Sequence, residues 1–142
     1  MTNASAGPSY VLHPVGIVRS TLTQRRGAPR QGDEGAPPAW IELDPAYAEA
    51  LDGVTPGSEV ILLTWLHEGR RETLRVHPRT APPGVEMGVF ATRSPDRPNP
   101  IGLHRATVSQ IVDGCRLEVS ALEAIDGTPV LDIKPVLNAA ER

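Results

Sequence analysis

The sequence predicts an all-β, strand-and-loop fold with one short helix, on three observations. The 142 residues include 15 prolines and 13 glycines, a density of chain breakers that favours short elements joined by turns over a helical bundle. Residues 59–66, Glu-Val-Ile-Leu-Leu-Thr-Trp-Leu, are the most apolar run, and their β-branched and aromatic content suits a central strand. Further on, Cys115, Leu117, Val119 and Ala121 alternate with Arg116, Glu118 and Ser120, directly after Asp113-Gly114. A period of two marks a strand with one buried face, and Asp-Gly is a two-residue turn whose twist joins antiparallel neighbours.

The length suits one domain with a modest core, expected over residues 10–142. Residues 1–9, small and polar, read as a disordered tail. Val11, Val15, Ile17 and Val18 make a first strand ending near Arg19-Ser20. Residues 24–38 are charged and rich in Gly and Pro, a loop by composition. A second strand covers residues 40–43. Asp44 then caps a short helix with Pro45 at its first position, running to Leu51 and stopped by Asp52-Gly53. A turn around Pro56-Gly57 leads into the central strand, and residues 73–76 read as that strand's neighbour. Val89, Phe90 and Ala91 form another short strand. Residues 106–112 and 115–122 form the hairpin around Asp113-Gly114, and residues 130–135 follow a turn at Asp126-Gly127.

Charge and missing motifs narrow the function. The formal net charge is −3, so no overall basic excess advertises a nucleic-acid partner. Arginines do cluster locally, at Arg25-Arg26 with Arg30, at Arg70-Arg71 with Arg75 and Arg79, and at Arg93 and Arg97 with Arg105. The single cysteine, Cys115, forms no internal disulfide, and the four histidines lack metal-site spacing, so no metal is expected. His104 reads as a solvated strand residue. No G-x-G-x-x-G or G-x-x-x-x-G-K-S/T occurs. With neither a membrane-length apolar run nor a leader, the protein is expected to be soluble, cytoplasmic and off the membrane.

Chemistry concentrates in residues 88–105, GVFATRSPDRPNPIGLHR. Pro95, Pro98 and Pro100 each fix φ and hold the preceding residue extended, so Ser94, Arg97 and Asn99 sit on a stiff backbone. Pre-ordered side chains lose little entropy on gripping a ligand. Two guanidiniums, a carboxamide and a hydroxyl suit a polar, anionic ligand; a solvated Pro-rich turn is the plainer alternative.

The run GVFATRSPDRPNPIGL closely resembles the signature of the TsaA/TrmO-like family, S-adenosylmethionine-dependent tRNA methyltransferases acting on the exocyclic N6 amine of threonylcarbamoyladenosine beside the anticodon. A second string, AIDGTPVLDIKP, resembles the family's second signature, and the likeness covers about residues 15–135. It implies a compact, mostly antiparallel β-barrel, a homodimer with the cofactor near its interface, and S-adenosylmethionine held outside any Rossmann crevice. It also implies donor contacts from Pro29, Arg30 and Gln31; from His67 and Glu68; from Arg93 and Leu103; and from Asp126, Gly127, Thr128 and Pro129. Arg97 and Asn99 are assigned to a substrate phosphate or carboxylate, which guanidinium pairs bidentately.

Three features depart from the family pattern. Glu68 stands where relatives commonly carry Gln, and Asp96 puts a carboxylate between Arg93 and Arg97 where relatives often have a neutral residue. The sequence ends shortly after the second signature, at Arg142, whereas longer members continue. Taken without the resemblance, His67 at a strand terminus is more often a structural residue than a ligand. The expected chemistry is in-line methyl transfer to nitrogen, driven by alignment and desolvation. The proton acceptor stays unassigned between Asp96 and Glu68. A small-molecule methyltransferase on the same barrel and a non-catalytic S-adenosylmethionine-binding regulator remain open alternatives.

Overall fold

The computed structural model describes residues 7–25, 35–138 and 140. Among them are eight strands: β1 (Gly16–Arg19), β2 (Ala39–Leu43), β3 (Glu59–Trp65), β4 (Arg75–Val76), β5 (Met87–Gly88), β6 (Ile101–Val112), β7 (Arg116–Val119) and β8 (Pro129–Pro135). Six are hydrogen-bonded in the order β1-β2-β7-β6-β3-β8, and β8 returns to β1, closing a barrel. All the pairings are antiparallel. The expected strand-rich, antiparallel character is met.

Alternation fills the interior. On β6, Gly102, His104, Ala106 and Val108 are buried while Ile101, Leu103 and Arg105 face out. Val18, Ile41, Leu62, Leu117, Val119 and Val130 meet them from the other strands and are fully buried. Gly16 lets β1 and β2 approach closely: a Cβ there would lie 2.7 Å from the Glu42 carbonyl oxygen.

Several expected elements shift. β1 begins at Gly16 rather than near Val11; Val11 is 81% exposed, and Pro14 lacks the N–H a ladder needs. Residues 73–76 are not the neighbour of β3. Both edges of β3 are taken, by β6 and β8, so Arg75 and Val76 pair instead with β5 in a separate two-stranded ribbon. Val89–Ala91 is a 3-10 turn, not a strand, with Val89 buried and Phe90 exposed. The predicted helix is present as a 3-10 segment, Pro45–Leu51, whose Asp44 cap accepts the Ala46 N–H at 3.0 Å.

The hairpin turns where expected, with Asp113 at φ 55° and Gly114 at φ 72°. β6 begins at Ile101, well before the predicted start at residue 106, and β7 ends at Val119 rather than 122. Leu122 stays fully buried, its N–H donating to the Pro37 carbonyl at 2.9 Å.

Candidate functional site

Three stretches meet at one rim of the barrel: the end of β3, the proline-rich loop before β6, and the turn before β8. Leu66 N–H donates to the Pro100 carbonyl at 2.7 Å, and Arg97 N–H to the Arg70 carbonyl at 2.9 Å, sewing the first two together. Gly69 permits this approach, since a Cβ there would collide with the Pro95 carbonyl oxygen. Arg71 adds a clamp. It lies 5.1 Å over the Trp65 ring and donates to the Pro98 carbonyl at 2.7 Å and to Asn99 Oδ1 at 2.8 Å.

Rigidity in the loop comes from more than its prolines. Arg97 Nη1 donates to the Thr92 and Ser94 carbonyls at 3.0 and 2.9 Å, and Nη2 to the Val89 carbonyl at 2.9 Å. Both terminal nitrogens of Arg97, assigned from the sequence to a substrate anion, are therefore committed inside the loop. The Asn99 oxygen is likewise taken by Arg71.

Asp96 does not bridge Arg93 and Arg97. Its Oδ2 accepts from Arg25 Nη2 at 2.8 Å and its Oδ1 from the Arg70 N–H at 2.9 Å. Burial pushes its carboxyl up, but the Arg25 hydrogen bond and the Arg70 N–H outweigh that and hold it below its ordinary value. A carboxylate so engaged is a poor proton acceptor. Arg25 Nη1 also donates to the Glu68 carbonyl at 3.0 Å, so residues 20–25 lie against the same rim.

The turn at residues 125–128 is fastened to the end of β1. Asp126 N–H donates to the Leu22 carbonyl at 2.7 Å, Gly127 N–H to the Val18 carbonyl at 2.8 Å, and Asp126 Oδ1 accepts the Ser20 N–H at 3.0 Å. Gly127 has φ 83°, a left-handed geometry that glycine supplies without strain. Thr128, 1% exposed, donates its hydroxyl to the Ile125 carbonyl at 2.7 Å.

A broad open groove runs along this rim. His67, Glu68, Arg93, Arg97, Asn99, Leu103 and Thr128 border it; Asp126, Gly127 and Pro129 stand just outside. Pro29, Arg30 and Gln31 fall outside the described residues. Exposed His67 and Glu68 follow β3, exposed Arg93 leads the loop, and half-exposed Leu103 points outward from β6. Among the described residues, no group of three His, Cys, Asp or Glu side chains is placed to hold a metal ion, and no helix is long and apolar enough to cross a membrane.

His104 is not a solvated strand residue. It is 5% exposed, with Nδ1 2.6 Å from Glu123 Oε1 and Nε2 2.7 Å from Thr64 Oγ1. The signal was available in the alternation: even-numbered residues from 102 to 108 line the interior, and His104 is one of them.

A small antiparallel barrel with a groove bordered by loops at one rim is the class of protein that this fold defines. Residues 17–142 match the tRNA-methyltransferase O N-terminal domain (TrmO_N), and the chain belongs to that family. It is 44% identical over 124 residues to a probable S-adenosyl-L-methionine-binding protein of Methanothermobacter thermautotrophicus, covering 87% of this chain and 88% of that one. Identity to the tRNA (adenine(37)-N6)-methyltransferase of Escherichia coli is 36% over 143 residues, 94% of this chain but 60% of the relative. A crystal structure of TrmO from Pseudomonas aeruginosa superposes with TM-score 0.73 at 35% identity, covering 94% of this chain and 59% of that one.

Proposed function

We propose that the chain binds S-adenosylmethionine in the rim groove and transfers its methyl group to the exocyclic N6 amine of threonylcarbamoyladenosine beside the tRNA anticodon. The observation that carries this reading is convergence: His67 and Glu68, Arg93, Leu103 and Thr128, far apart in sequence, border one groove. The groups suit the donor. Exposed Arg93 pairs a carboxylate bidentately, and the Glu68 carboxylate complements an ammonium or sulfonium. Asp126, Gly127 and Pro129 set the turn that presents Thr128, and Pro29, Arg30 and Gln31 are assigned to the donor by the family likeness.

When bound, the donor supplies an electrophilic methyl carbon. The chain's part is to orient that carbon against the amine and exclude water, which accounts for large rate gains without covalent catalysis. Asp96, held ionised by Arg25, anchors the loop rather than taking the amine's proton. Arg97 is reassigned from substrate contact to loop bracing. The outward face of β3 and β6, with Ile101 44% and Leu103 47% exposed, suits a homodimer with the groove beside its interface. A cytoplasmic setting follows from a tRNA substrate.

A binding-only role has one observation in its favour: relatives from Methanothermobacter thermautotrophicus and Archaeoglobus fulgidus, 44% and 41% identical, are named for S-adenosyl-L-methionine binding alone. Incubation with methyl-labelled S-adenosylmethionine and tRNA from a strain lacking the modification separates the two. Label in methylated threonylcarbamoyladenosine is the expected result. Donor-loaded protein that leaves tRNA unlabelled supports the binding-only role or a small-molecule acceptor.

A further inference from the structure

Among the described residues, Thr64, His104 and Thr128 are the buried polar side chains, and His104 and Glu123 also border the rim groove. Thr64, fully buried on β3, is three residues before His67; His104 on β6 adjoins Leu103; Glu123, after β7, is three residues before Asp126. The three side chains form one hydrogen-bonded line, Glu123 Oε1 to His104 Nδ1 at 2.6 Å and His104 Nε2 to Thr64 Oγ1 at 2.7 Å. We propose that His104, bridging Thr64 and Glu123, is a positioning residue that ties the segment before β8 to the paired ends of β3 and β6, and so sets affinity for the methyl donor. This rests on the donor-binding reading above.

Direction is what the bridge contributes. A carboxylate only accepts, so Nδ1 carries a proton, and the Thr64 hydroxyl, able to donate or accept, completes the line at Nε2. An apolar trio would fill the same space without specifying how the segments align. Gly102 is shaped around the contact: a Cβ there would lie 2.5 Å from Thr64 Oγ1 and 2.7 Å from His104 Nε2.

The β3–β6 ladder is regular from Glu59 to Trp65, so what stays open is how β8 and the turn before it align with that pair. The β3–β8 register slips between Leu63 and Thr64, so the pairing that runs up β3 is interrupted at the end where the turn approaches. At that same residue the Thr64 side chain reaches across to β6. Glu123 is held by little else: its Oε2 is buried without a hydrogen-bond partner, leaving His104 as the carboxylate's anchor. Freeing the carboxylate displaces the chain leading to Asp126.

The test compares Thr64→Val, Thr64→Ser and Glu123→Gln with wild type in the full chain. Calorimetric Kd for S-adenosylmethionine is measured well below each variant's melting temperature. Val60→Ala, an apolar truncation on the same strand, controls for general loss of stability. Thr64→Val is expected to weaken binding about tenfold, taking as a guide the lower end of what losing a supporting partner costs at metal sites. Thr64→Ser should restore it to within about twofold, since the hydroxyl is kept. Glu123→Gln, which keeps the shape should Thr64→Val fail to fold, should weaken binding about threefold as a charge-assisted bond becomes neutral. Melting temperatures that fall while Kd holds overturn the proposal, as does Val60→Ala weakening Kd as much as Thr64→Val. Wild-type protein that takes up no S-adenosylmethionine overturns the donor reading, and the positioning role with it.

Discussion

Asp96 shows how one residue can lose an expected role and gain another. From the sequence it is a carboxylate between two arginines, but its partners, Arg25 and the Arg70 N–H, come from segments the local pattern does not point to. Its carboxyl is held below the ordinary value of 3.8, against the upward push of burial, by those hydrogen bonds. A depressed folded pKa contributes stability that is present above the unfolded pKa and lost as pH falls through the folded one. Asp96→Asn should therefore be less stable than wild type near neutrality, with the gap closing as pH drops below the ordinary carboxylate range. Urea midpoints at pH 6 and pH 2.5 check this; a gap that persists at low pH contradicts it. Gly69 supports a second expectation. A Cβ there meets the Pro95 carbonyl oxygen and lies 2.9 Å from Pro100 Cβ, so Gly69→Ala should destabilise by about 1–3 kcal/mol, read by denaturant unfolding.

Among the elements, the legible ones carried their own chemistry. The Asp44-Pro45 start of the 3-10 segment and the Asp113-Gly114 turn depend on backbone preferences written into adjacent residues. Gly114→Val, forced into φ 72°, should cost on the order of 1–2 kcal/mol, while a change at Gly7, where a Cβ meets nothing within 4 Å, should be silent. Thermal unfolding of the two variants distinguishes them. Less legible was the start of β6, where the outward positions carry Ile101 and Leu103 while the inward ones carry Gly102 and His104, so that the alternation shows only once the strand is extended back from Ala106 and Val108. The neighbour of β3 was also obscure, because pairing partners are chosen by the whole sheet: β6 and β8 hold both edges and leave residues 75–76 to the ribbon. The candidate site divides the same way. The proline-braced loop announces itself, whereas the Thr64–His104–Glu123 line joins residues up to 59 apart and exists only once the barrel is folded.

For the whole molecule, a net charge of −3 coexists with exposed arginines bordering the groove, at Arg75, Arg79, Arg93 and Arg105. If tRNA docks across this rim, affinity should fall steeply with salt despite the acidic total, because phosphates respond to local charge. Replacing Arg75, which borders the groove and has no part in holding the donor, with Ala should flatten the log–log salt slope by about one, as measured by filter binding over a range of potassium chloride; an unchanged slope places Arg75 away from the phosphates.

Ring closure has a consequence for handling as well as for binding. β1 and β8 close the ring through Gly16–Val130 and Ile17–Pro129, so among the described barrel strands each has a partner on both sides over part of its length, which leaves only short stretches of edge on which a foreign strand could template itself. Concentrated solutions should therefore resist fibril seeding until heating or acid opens the seam. Thioflavin fluorescence should rise with the loss of the native fold and not before it.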